Sequence, residues 1–95
     1  MHKVGISFRS PLTSEEVREQ YVRPLRAELD EASAGIYSNY LRQVDPDSAD
    51  GTEHLLIFEL HDFKAGLRVL RLKLEEIGLP GDVQFQNLSP SKPGY

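Results

Sequence analysis

Three side chains of complementary chemistry stand out: the Arg9 guanidinium, the Glu59 carboxylate and the His61 imidazole. Glu59 and His61 alternate with apolar residues in the run Thr52 to His61, and Arg9 closes a second alternating run. The spacing predicts all three on one face of a sheet, where a carboxylate, an imidazole and a cation could move a proton on an anionic substrate. Cross-strand ion pairs on a polar sheet surface account for the same pattern. No nucleophile or cofactor signature accompanies the trio, so no catalytic residue is assigned. Leu55 and Ile57 share its face. Aliphatic side chains in the middle of a helix-free sheet surface are commonly covered by a partner or a second copy. Arg9, Leu55, Ile57, Glu59 and His61 are therefore expected to form a binding face.

Asp45, Asp47 and Asp50 precede Gly51 in the manner of a calcium loop. The carboxylates are spaced too widely, however, and Leu56 stands where a bidentate Glu would close the loop. A solvated turn is expected, whose carboxylates offer an acidic surface to a basic partner. His54 and His61 fall on opposite faces of one strand and cannot share a metal, and His2 sits beside the terminus. With no cysteine in the chain, thiolate ligands, disulfides and cysteine nucleophiles are all removed. No metal and no cofactor is expected. Lys64, Arg68 and Arg71 recur at helical spacing with Leu72 beside them. That stripe reads as a solvated face able to pair with Glu75, or as a dock for an anion or an acidic partner.

These residues need elements to position them. Val4, Ile6 and Phe8 alternate with polar residues from Lys3 to Arg9, which predicts strand one. Thr13 and Glu16 have the spacing of a capping box, and Leu12 with Val17 that of a hydrophobic staple. Val17, Tyr21, Leu25, Leu29 and Ala32 predict the buried stripe of helix one. Pro24 either kinks this helix or opens a second one, and Gly35 is placed to terminate it. Ile36 to Val44 is rich in β-formers but alternates imperfectly, which predicts an edge strand with a bulge. Strand three runs from Thr52 to His61. Helix two follows, capped by Asp62, carrying Phe63, Leu67, Leu70, Leu74 and Ile77 on one face and ending at Gly78. Leu79-Pro80-Gly81-Asp82 fits a type II turn, and Val83 and Phe85 alternate in a last strand.

The order β-α-β-β-α-β predicts a ferredoxin-like α+β fold, a two-layer sandwich with an antiparallel sheet and both helices on one face. Strands one and three would be central and strands two and four the edges. Val4, Ile6, Phe8, Leu56, Phe58, Leu60, Val83 and Phe85 would then all face the helices. Residues 1–88 are expected to be one domain and 89–95 a flexible tail.

Within that order, Phe8-Arg9 and Asn39 sit roughly where acylphosphatase-like enzymes place an Arg after strand one and an Asn on strand two. At these few positions the chain resembles that family, which implies an enzyme acting on an anionic substrate at the open sheet face. It departs from the pattern in the phosphate cradle. Only Gly5 precedes the Phe-Arg pair, so the family's Gly-rich run of backbone N–H groups is missing. RNA-recognition modules also use this fold, with aromatics stacking bases on the open face. Here that face offers Ser7, Arg9, Leu55, Ile57 and Glu59, while Phe8 and Phe58 have core parity.

A net charge of −4 argues against a nucleic-acid surface, since phosphate binding draws on clustered Lys and Arg. No apolar run approaches a bilayer span, and the first ten residues lack the apolar core of a signal peptide. The expectation is a soluble cytoplasmic protein that binds neither nucleic acid nor membrane. Its leading function would be that of a non-catalytic interaction module whose partner is another protein or a second copy. One version is an inhibitor or immunity-type protein that docks its acidic segment, Asp45 to Glu59, on a basic partner. The alternatives are the small enzyme at the open face and a homodimer enclosing a small ligand.

Overall fold

A computed structural model describes residues 2–44, 52–78 and 83–88. Strand β1 (His2–Arg9) leads into helix α1 (Ser14–Val17), a π-helical turn (Arg18–Val22) and helix α2 (Arg23–Ala32). Strands β2 (Gly35–Val44) and β3 (Thr52–Leu60), helix α3 (Phe63–Ile77) and strand β4 (Gln84–Asn87) follow. The four strands form one antiparallel sheet in the order β2-β3-β1-β4. β1 and β3 are thus central, as expected from the crossover argument.

The helix starts are set by the predicted caps. The Glu16 N–H donates to Thr13 Oγ1 at 3.2 Å, and the Thr13 N–H donates to Glu16 Oε1 at 3.0 Å. At α3 the Ala65 N–H donates to Asp62 Oδ1 at 3.2 Å.

Pro24 opens the second helix, as one of the two expectations had it, at the first positions of α2. The backbone stays right-handed helical through Arg18, Val22 and Arg23, and the π turn carries the chain into α2 with Pro24 in its first turn. The Arg23 N–H reaches back five residues to the Arg18 carbonyl. This underwinding also explains the stripe. Residues spaced strictly by four drift about 40° per step around an ideal helix, and a wider turn takes up the drift. Val17, Tyr21, Leu25 and Leu29 are buried, and Val22 joins them; Ala32, expected in the stripe, is exposed.

The α2 terminator is Ser33 rather than Gly35. Ser33 adopts the left-handed conformation (φ 51°, ψ 36°), with Ala34 N–H donating to the Leu29 carbonyl and Ser33 N–H to that of Asp30. Gly35 belongs to β2 and serves close approach: a Cβ there would run into the Glu59 carbonyl oxygen. Gly78 ends α3 at positive φ (93°), as a glycine permits.

Val4, Ile6, Phe8, Leu56, Phe58 and Leu60 are buried in one cluster with the stripes of α1–α2 and α3, so the helices cover this face of the sheet. Val83 and Phe85 pack against the cluster while only partly buried. Among the described residues the opposite face carries no helix. β2 is bulged between Tyr37 and Asn39, which changes the parity of everything after it. Tyr37 opposite Phe58 and Tyr40 opposite Leu56 consequently lie on the same, helix-bearing side.

Candidate functional site

The helix-free face is organised by the β1–β3 register. Its two ends are charged: Lys3 lies opposite Glu59, and Arg9 opposite Glu53. Between them one row runs Leu41, Leu55, Ser7, Gln84 across the four strands, and the next Asn39, Ile57, Gly5, Gln86. Gly5 has no side chain to fill its place in that row. The Leu55 and Leu88 methyls close over it, each 2.9 Å from where a Cβ would stand. The Gln86 amide donates to the buried Ser7 hydroxyl at 3.2 Å. Ile36 and Leu41 on β2 are exposed, and Leu55 and Ile57 are half-buried. The middle of the face therefore sets Leu41, Leu55, Ile57 and Leu88 beside the polar Asn39, Ser7, Gln84 and Gln86, between charged ends.

The register does not bring the expected trio together. Arg9 and Glu59 stand at opposite ends of the ladder, separated by about 20 Å of strand. His61 lies beyond the end of β3, exposed, with its N–H donating to the Ala34 carbonyl. Arg9 and Asn39 are likewise apart: Asn39 is opposite Ile57 and Arg9 opposite Glu53, on strands separated by β3. Asn39 Oδ1 accepts the Tyr40 N–H at 2.8 Å, which engages it at the bulge. Asp45, Asp47 and Asp50 lie outside the described residues.

Periodicity alone missed a buried polar centre on the helix side. His54 is fully buried, between Phe8 and Tyr40. Its Nε2 lies 3.1 Å from the Ser10 carbonyl oxygen, which can only accept, so Nε2 carries the proton. Nδ1 then accepts from the Tyr40 hydroxyl at 2.6 Å. Burial pushes the imidazole pKa down, the Ser10 bond opposes this, and Arg42 nearby lowers it further. The Arg18 guanidinium sits 5.6 Å above the Tyr40 ring. The parity of His54 with Leu56 and Phe58 was a usable signal for its burial. The pairing with Tyr40 depends on the bulge and was not legible. Fully buried, His54 ties Tyr40 of β2 and the Ser10 carbonyl after β1 to β3.

The helix α3 stripe lines a shallow groove of about 330 Å³, formed by Lys64, Leu67, Arg68, Arg71, Leu72 and Glu75. Among the described residues no three His, Asp or Glu side chains gather as metal ligands, and no helix is long and apolar enough to cross a membrane. Comparison with family models, curated proteins and solved structures returned no match.

Proposed function

We propose that this chain is a non-catalytic interaction module that binds another protein through the helix-free face of its sheet. The supporting observation is the group of Leu41, Leu55, Ile57 and Leu88 in the middle of this face, with Asn39, Gln84 and Gln86 beside it and Lys3, Arg9, Glu53 and Glu59 at the two ends. Such a pattern suits an interface with a dry core and a charged rim. We infer the ferredoxin-like arrangement for the fold, on the strength of the strand order and the helices gathered on one face. An inhibitor or immunity-type role belongs to the same reading, with the Asp45 to Glu59 segment steering a basic partner. An enzyme at Arg9 is not proposed, because the register keeps His61 and Asn39 away from it.

The test is affinity capture from native lysate with the wild type, Ile57→Asp and Asp47→Lys in parallel. A stoichiometric protein held by the wild type and lost from Ile57→Asp is the expected result. A partner retained by Ile57→Asp but lost from Asp47→Lys would move the site to the acidic segment. A clean lane for the wild type would remove the reading.

A further inference from the structure

The two edges of the sheet are unlike. β4 spans only Gln84–Asn87 and is polar apart from Phe85. β2 spans ten residues, Gly35–Val44, and has no proline, no lysine and a single charge, Arg42. It also carries three exposed large hydrophobics, Ile36 (46%), Leu41 (50%) and Val44 (58%). A long, nearly uncharged, apolar edge is what folded proteins avoid leaving open, because its unpaired N–H and C=O groups template further pairing. Among the described residues nothing pairs with the outer side of β2.

We propose that the outer edge of β2 pairs antiparallel with β2 of a second copy, about a two-fold axis at Leu41. The choice of a second copy rests on self-complementarity. The regular part of the strand runs from Asn39 to Val44; its two central residues are Leu41 and Arg42, and an axis at Leu41 avoids setting Arg42 against its own mate. Symmetric pairing there sets Leu41 against its own mate and Asn39 against Gln43 of the other copy. Arg42, the one charge of the strand, then lies opposite the partner's Tyr40 and not the partner's Arg42. Leu41 lies opposite Leu55 within the sheet, so pairing produces one row of four leucines across the seam, two from each copy. This assembly goes beyond the open-face function and does not rest on it.

The absence of native cysteine gives a direct test of the register. Light scattering of the wild type should report twice the 10.8 kDa chain mass. Leu41→Lys, at an exposed position, should keep the circular dichroism spectrum and weaken association at least tenfold. Ile57→Asp, off the edge, should leave the dimer intact. Under mild oxidation Leu41→Cys should form a disulfide dimer, since directly opposed Cα atoms lie within reach. Gln43→Cys should not, because the register offsets it from its mate by about 13 Å. A wild type that remains monomeric at millimolar concentration overturns the proposal. So does a dimer broken by Ile57→Asp but not by Leu41→Lys, which would place the contact on the open faces. A disulfide dimer that forms more readily in Gln43→Cys than in Leu41→Cys would exclude the Leu41-centred pairing.

Discussion

At the scale of single residues, His54 sets a pH dependence. Its ring binds a proton less readily in the folded protein than in the unfolded chain, whose value is 6.5. Below that pH the unfolded state takes up the proton first, so unfolding is favoured as pH falls. The His54 contribution is fully present above pH 6.5 and is lost as pH drops from there towards the depressed folded value. Urea unfolding at pH 7.5, 6.5 and 5.5 should show this decline, and a His54→Leu variant should show a shallower slope over the same range. Equal slopes would mean that the carboxylates alone carry the acid sensitivity. Tyr40→Phe removes the hydroxyl that satisfies His54 Nδ1 and should cost about 1–3 kcal/mol for the buried acceptor left unpaired. A Tyr40→Phe variant as stable as the wild type at pH 7.5 would show that this bond contributes nothing net.

At the scale of elements, what was legible in the sequence was local. The Thr13–Glu16 box and the Asp62 cap need only residues three apart, and both formed where their spacing put them. The end of α2 was misread for a physical reason. Gly35 invites the left-handed position, but the glycine is needed where the chain passes the Glu59 carbonyl, and Ser33 takes the left-handed turn instead. Two outcomes follow for thermal unfolding. Ser33→Gly should stabilise the protein by about 1 kcal/mol, the order of the cost an L-residue meets there. Gly35→Ala should destabilise it by about 1–3 kcal/mol or more, because a backbone oxygen has to move. Gly5→Ala displaces only the tips of Leu55 and Leu88 and should cost less than Gly35→Ala. The reverse order would discount backbone approach at Gly35.

At the scale of the whole molecule, alternation in β1 and β3 was enough to separate the two faces of the sheet, because neither strand is bulged against the other. The same logic overreached in gathering Arg9, Glu59 and His61. Parity says which side a residue faces and nothing about how far along the ladder it lies. In β2 the bulge defeated even parity, which is why the Tyr40–His54 centre emerged only from the fold. The brevity of β4 has a consequence for assembly. A sheet with two long open edges can add copies without limit, whereas here one strand laid against β2 leaves four-residue borders on the outside. If β2 pairs with a second copy as proposed, growth by strand addition then meets only these short borders and is expected to stop after a single step.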